Sequence, residues 1–448
     1  MEKKRGRTEK RIVIVGSGAS GMAAAISASQ TVEDGFSDCS VILLERNDRS
    51  GAKIRISGGG KCNVTHSGTP GDILEKGFLR RNEQRFLQPS LFGFSGADLI
   101  ALLHSKGAAT EERPDGCVFP CSGSALSVIR VFEDLLREHA VDLRLSCRVK
   151  NVRSEAGLFE VETDTCGTIE ADLLVLASGG VSYARTGTTG DGLVIARKLG
   201  HTIVASSPAL APVYTIKPFS RELSGVSLRQ AKLIASSGKR NVERCGDILI
   251  THKGFSGPAV LSLSRDISQL SAAAQTRLFA DLFPHHNDEE LEKILLLQAR
   301  ENGSRLVRKF LQSCPAAPGP GSFSSGANGT LPSAIVPYML HFSGIDERTA
   351  WSSLEKEKRK SLLSVLKRFP LGTVRKVPLD EGEVSAGGVS LGEINPKTMH
   401  SRIVPGLFIC GELLDYAGEI GGYNLQAAFS TGWAAGRNAA LIIQPAQE

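Results

Sequence analysis

The chain has 448 residues, 41% apolar and 22% charged, which is the balance of a globular protein too long for one compact core, so two or three domains are expected. Its net charge of +6 sits mostly at the start: residues 1–11 carry six basic and two acidic side chains, leaving about +2 for the rest, so no nucleic-acid partner is expected. Nine cysteines form no C-x-x-C pair, and no Cys/His cluster has ligand spacing, which excludes a disulfide framework or zinc site and fits a reduced, cytoplasmic protein. No segment approaches the ~20 apolar residues of a membrane helix, and the early glycines break any secretory signal, so no membrane partner is expected.

In chain order, Ile12-Val13-Ile14-Val15 is an apolar, β-branched run of the kind buried in parallel sheets. It enters Gly16-x-Gly18-x-x-Gly21 and then a small-residue helix, Met22 to Ser29. Gly16 allows the turn, Gly18 lets a pyrophosphate approach the backbone, and Gly21 lets helix and strand pack closely. The helix N-terminus then offers free N–H groups and its dipole to the phosphates. A second apolar strand, Val41 to Leu44, ends in Glu45, placed to accept adenosine ribose hydroxyls.

Val128 to Glu138 is an amphipathic helix, and Leu143–Val149 and Leu158–Thr163 read as strands of a β-meander. Asp172 to Ala177 is another buried strand, closing on Ser178-Gly179-Gly180. From about 196 to 384 the pattern changes to short strands and then helices, with Leu291–Leu311 and Trp351–Phe369 both helical by periodicity. Residues 313–330 hold eleven Pro, Gly or Ser among eighteen, which predicts a flexible surface loop. After Ser385 the α/β character returns. Gly406 to Glu412 reads as a strand leaving for a ligand, and Gly421-Gly422-Tyr423-Asn424 opens a long helix, Leu425 to Leu441.

The predicted class is α/β, a discontinuous two-dinucleotide-fold (Rossmann-like) domain formed by 1–195 and 385–448 around an insert, 196–384. Only one complete fingerprint is present. The strand closing on Gly179-Gly180 looks like a second backbone contact with the same ligand, and Glu412 and Asp415 stand where an acidic side chain takes a ribityl hydroxyl. These three pieces in this order argue for FAD over NAD.

Ser57-Gly58-Gly59-Gly60-Lys61-Cys62-Asn63-Val64-Thr65 resembles the S-G-G-G-[RK]-C-N-x-T signature of the BaiN-like (YhiN-like) flavoproteins, also described as aminoacetone-oxidase-type FAD-binding enzymes. Val118-Phe119-Pro120, Thr186 to Gly192, Thr251 to Pro258, Ser385 to Val389, Thr398-Met399 and Gly411-Glu412 through Gln426 extend the resemblance over nearly the whole chain. His66 stands where asparagine is usual, and Ser178 where threonine is usual. The resemblance implies a flavin oxidoreductase whose insert combines a β-barrel-like part with helices, one branch reducing conjugated C=C bonds of oxo-bile acids.

The residues expected to contact FAD are Gly16, Gly18, Ser20, Gly21, Glu45, Lys53, Cys62, Asn63, Gly179, Gly411, Glu412, Gly422, Tyr423 and Asn424. No catalytic acid or base is identified. His252 is a candidate acid for a substrate carbonyl, against the alternative of a loop histidine bonded to backbone. Cys62 has no partner cysteine nearby, so a small packed residue is favoured over flavin–disulfide exchange. The leading reading is an FAD-dependent reductase of an unsaturated or oxo small molecule, with NAD(P)H as a transient donor. The alternatives are a flavin oxidase of amine or hydroxy substrates using O₂, and a non-catalytic flavin-binding scaffold or RNA-modifying partner. Oligomeric state is left open.

Overall fold

A computed structural model describes residues 9–35, 39–155, 157–313 and 331–443; the low-complexity loop expected at 313–330 lies, but for its first residue, outside them. The chain divides into two compact units, Met1–Ser207 with Glu383–Glu448, and Pro208–Gly382.

In the first unit the run predicted from Ile12 becomes β1 (Lys10–Val15), followed by α1 (Ala19–Gly35) and β2 (Cys39–Leu44). Then come α2 (Ala125–Glu138), β3 (Asp142–Arg144), β4 (Leu173–Leu176) and α3 (Asp191–Lys198), and after the second unit β5 (Leu407–Ile409) and α4 (Tyr423–Ile443). The five strands form one parallel sheet in the order β5-β4-β1-β2-β3. Ile14 pairs with both Leu43 and Val175, so β1 is central, and Ile12, Val13 and Ile14 are wholly buried. This is why the strand is a continuous β-branched run and not an alternating one.

The segment Leu143–Val149, expected as one meander strand, splits. Its start joins the parallel sheet, Leu143 opposite Leu43, and its end begins a separate antiparallel meander of 149–155, 158–163 and 168–171. Ser146 between them has φ +52, a left-handed kink that no continuous strand passes through.

The helix α1 is buried on all sides from Ala19 to Ser29. Its outer face meets α4 through glycine: a Cβ at Gly432 would lie 2.1 Å from the Ser20 carbonyl oxygen, and one at Gly436 1.9 Å from that of Ala24. The stretch Arg81–Ser105, contrary to the sequence expectation, has the length and apolar character to cross a membrane. It is two helices, Arg81–Gly93 and Gly96–Ser105, broken where Ser95 and Asp98 form a reciprocal capping box. The Phe94 carbonyl freed by the break accepts from Ser430 Oγ (2.6 Å) and Gln426 Nε2 (3.2 Å) of α4.

The second unit contains a closed six-stranded barrel of Val213–Thr215, Gly254–Ser256, Arg240–Thr251, Ser227–Ser237, Arg277–Asp281 and Phe369–Lys376 in spatial order, with helices beyond it. Both helices expected there are shorter. The first divides into Asp288–Glu301 and Val307–Ser313, because the Gly303 and Arg305 carbonyls turn to accept from Ser352 and Trp351. The second runs Lys356–Lys367, after a single 3₁₀ turn at Trp351–Ser353; Phe369 instead pairs with Ala280 in the barrel.

The α1–α4 contact yields a sharp prediction. Gly436→Leu forces two backbones apart and costs at least the ~1–3 kcal/mol of an overpacked core, lowering the melting temperature by several degrees or abolishing soluble protein. Asn438→Leu, two residues along the same helix, leaves melting nearly unchanged in a thermal scan.

Candidate dinucleotide-binding site

The three glycines after β1 do three different things. Gly16 has φ +104, and its N–H donates to the Leu44 carbonyl (2.7 Å) as the chain turns away from the sheet. A Cβ at Gly18 would meet nothing within 4 Å, so this backbone faces open space. A Cβ at Gly21 would lie 1.7 Å from the Gly16 oxygen, which closes helix on strand. An unhindered approach at the second glycine beside the N-terminus of α1 is what a diphosphate requires. Ser20 is buried on the first turn of α1, turned toward Gly411 and the Cys410 thiol.

Glu45 is buried at the end of β2. Its Oε2 accepts from Ser17 N (2.7 Å), and its Oε1 from Asn47 N (2.9 Å) and Asn47 Nδ2 (2.7 Å). Desolvation raises its pKa above the ordinary carboxylate value, opposed by the hydrogen bonds from Asn47 and Ser17. A carboxylate offers about four acceptor positions, so the chain's three donors leave room for a ligand hydroxyl. Arg46 donates to Thr189 Oγ1 (2.6 Å) and Asn47 Nδ2 to the Thr186 carbonyl (3.1 Å), drawing the loop after β4 against the carboxylate.

Lys53 and Glu412 engage each other. Lys53 Nζ donates to Glu412 Oε2 (2.5 Å) and Ser182 Oγ (2.6 Å), while Glu412 Oε1 accepts from Ser385 N (2.9 Å) and Ser182 Oγ (3.1 Å). The network gathers four segments distant in sequence, and Gly180 lies within it, where a Cβ would be 2.2 Å from Ser385 Oγ. Gly179 beside it has no room for a side chain against Thr188. Gly411 abuts Ser20 in the same way.

The segment Ser57–Gly60 is a tight turn in which Gly58, Gly59 and Gly60 have φ of 55, 66 and 86°, a left-handed run few other residues adopt. Gly59 faces open space, and the turn closes as Cys62 N donates to the Ser57 carbonyl (2.9 Å). Cys62 is fully buried, and burial pushes its thiol up to about 11. Asn63 Oδ1 is buried without a partner beside Gly422, where a Cβ would lie 2.9 Å away. Gly422 in turn approaches the Thr65 carbonyl so closely that a Cβ would be 2.6 Å from it. Tyr423 opens α4 and stacks on His66 (centroids 4.8 Å apart, 14° between planes), and burial raises its hydroxyl to about 12. The Asn424 side chain exchanges hydrogen bonds with the backbone of Gly418 (2.8 and 2.9 Å), so it shapes the loop before the helix.

His252 lies in the other unit, exposed at the two-residue turn between the strands ending at Thr251 and starting at Gly254. Ser17, Asn47 and Ser182 are site residues that the sequence reading does not name, and Ser178 and Ser385 it places in motifs without assigning them to the ligand. Asn47 follows Glu45 by two residues and was within reach of local reasoning. The serines come together only through the fold.

These features fit FAD: two glycines open to a ligand, two helix N-termini approached through glycine, and two buried polar atoms, Asn63 Oδ1 and Ser178 Oγ, without a protein partner. Together with the parallel sheet they define the class as an FAD-dependent, Rossmann-type oxidoreductase. The chain belongs to the HI0933-like family, whose Rossmann-domain model matches residues 10–438. It is 32% identical over 433 residues to a 3-dehydro-bile acid delta(4,6)-reductase of Clostridium scindens, covering 96% of this chain and 99% of that one. It is 28% identical over 424 residues to the ribosomal RNA dihydrouridine synthase of Escherichia coli, covering 94% and 96%. Among solved structures, a flavocytochrome c3 fumarate reductase is 18% identical with a TM-score of 0.46, covering 97% of this chain and 79% of that one.

Two outcomes follow. A hydrogen bond to a charged group contributes about 1.5–3 kcal/mol, so Glu45→Gln weakens FAD binding roughly ten- to hundredfold in a fluorescence titration of apoprotein. Because the Glu45 pKa is raised, its acceptor is lost at a higher pH than a solvated carboxylate would allow. FAD affinity therefore falls as pH is lowered toward the carboxylate range, earlier than for a solvated carboxylate, and the variant lacks that limb. Separately, a thiol at about 11 is ionised in only about one molecule per thousand at pH 8. Native protein treated with N-ethylmaleimide then labels exposed Cys121 and Cys245 and spares Cys62.

Proposed function

We propose that the protein reduces a C=C bond conjugated to a carbonyl, with NAD(P)H as the transient electron donor. The observation that carries this reading is a bond shared by two relatives of different name. Saturating an oxo-steroid's delta(4,6) system and converting uridine to dihydrouridine both add hydrogen across a double bond polarised by a carbonyl. Both matches span almost the full length of this chain.

Bound FAD supplies the hydride equivalent. The chain's own residues bind and tune it. The α1 N-terminus and open Gly18 hold the diphosphate, and Glu45 accepts from the ribose. The N–H groups of Gly58–Gly60 and of the first turn of α4 provide a positive field that favours added negative charge on the ligand.

A specific observation bears on the substrate. Residues 208–382 carry 24 Lys and Arg against 16 Asp and Glu, a net +8, whereas the remainder of the chain totals −2. The near-neutral average outside the basic tail hides this asymmetry. A strongly basic unit suits an anionic substrate; a bile acid's single carboxylate is one such anion, and the polyanion RNA, with uridine as the reacting base, is supported as a second reading.

The test is an anaerobic half-reaction. Enzyme bleached with NADPH or NADH is mixed with a 3-oxo-4-ene steroid or with a uridine-containing ribosomal RNA transcript. The expected result is return of the flavin absorbance with one of them, and a product heavier by two hydrogen atoms. Recovery with RNA that weakens steeply as salt is raised assigns the nucleic-acid substrate. Reoxidation by air alone, with neither compound reduced, overturns the reading in favour of an oxidase.

A further inference from the structure

Behind Glu45 the chain brings two cysteines, Cys147 and Cys166, together. The turn 164–166 grips the segment 146–148 from both ends: Asp164 N donates to the Arg148 carbonyl (3.0 Å), Arg148 N to Asp164 Oδ1 (2.8 Å), and Thr165 Oγ1 to the Ser146 carbonyl (2.9 Å). Cys147 lies between these anchor points and is buried, and Cys166 is half-buried at the surface of the turn. The Cys166 thiol lies close enough to the Cys147 thiol for the two to interact electrostatically, and 3.7 Å from Thr165 Oγ1. The Arg144 guanidinium, held by Asp142, lies near enough for its charge to interact with both thiols. The same segment braces the ribose carboxylate, since Cys147 N donates to the Glu45 carbonyl (2.8 Å) and Ser146 N to that of Asn47 (2.8 Å).

We propose that Cys147 and Cys166 form an oxidation site for hydroperoxides, a dithiol that closes to a reversible disulfide on the segment bracing Glu45. The half-exposed Cys166 meets the oxidant first. Its sulfur attacks the peroxide, the O–O bond breaks, one water (or alcohol) leaves and a sulfenic acid remains. The Cys147 sulfur then attacks that sulfenic sulfur, the S–S bond forms and a second water leaves. Two thiols and one hydroperoxide thus give one disulfide, and a dithiol reductant reverses it. Burial pushes the Cys147 thiol up, which suits a resolving partner that is not itself oxidised first. The neighbouring arginine, the adjacent threonine hydroxyls and the hydrogen-bonded turn set this pair in a defined environment. The proposal stands independently of the substrate reading above.

The test treats native holoenzyme with one equivalent of hydrogen peroxide, blocks free thiols with N-ethylmaleimide after denaturation, and maps peptides by mass spectrometry. The expected product is a single cross-link between the peptides containing Cys147 and Cys166, removed by dithiothreitol, with a melting temperature that rises on oxidation and falls back on reduction. Cys147→Ser leaves Cys166 as a sulfenic acid that dimedone labels, and Cys166→Ser leaves Cys147 unoxidised. Recovery of both cysteines as maleimide adducts after peroxide, or Cys166 linked to a different cysteine, overturns the proposal. So does dimedone labelling of Cys147 in place of Cys166.

Discussion

Everything in the first unit depends on how closely α1 is allowed to approach other backbones. On one side Gly21 sits on the Gly16 carbonyl, and on the other Gly432 and Gly436 sit on the carbonyls of Ser20 and Ala24. Helix α1 is thereby clamped between the end of β1 and α4 with almost no side-chain layer between them. Its N-terminus cannot drift, so the free N–H groups beside Gly18 are fixed before any ligand arrives. Preorganisation of this kind is what lets a helix dipole bind an anion without a reorganisation cost at the moment of binding.

The same economy governs the charges. Glu45 is buried, yet backbone and amide donors satisfy three of its acceptor positions, which offsets much of the desolvation. Lys53 and Glu412, a quarter exposed or less, neutralise each other and recruit Ser182 and the Ser385 amide, the condition under which an ion pair withdrawn from water is tolerated. Here the pair works as a junction. It ties the segment after Gly51, the loop after β4, the return of the chain at 385 and the turn after β5 into one floor for the site. What lies open around that floor is glycine backbone and two unpaired polar atoms.

Much of this was legible in the sequence because the constraints are local. A β-branched run, three spaced glycines and a terminal acid specify a strand, a turn and a carboxylate within 35 residues of chain, and the structure builds them as β1, α1, β2 and Glu45. Helices were harder where tertiary contacts override periodicity. The Gly303 and Arg305 carbonyls leave their helix for Ser352 and Trp351, and nothing in the apolar spacing of 291–311 announces those partners. The Ser95 cap is a readable signal in an otherwise apolar stretch, and it turns one apparent long helix into two. The serines of the site share a similar illegibility: Ser182 and Ser385 are 203 positions apart and meet only at Glu412. The barrel was implied by family resemblance, since short strands with register shifts carry little period of their own.

The glycine-clamped helix and buried carboxylate form a site for a flavin that carries an adenosine diphosphate half. Titration of apoprotein with FAD, FMN and riboflavin, followed by flavin fluorescence, tests it most directly. FAD binds tightly, and FMN and riboflavin bind more weakly by about a hundredfold or more, since the lost adenosine contacts amount to at least ~3 kcal/mol. Equal affinity for FMN and FAD would contradict it, because the diphosphate and ribose contacts at Gly18 and Glu45 would then contribute nothing.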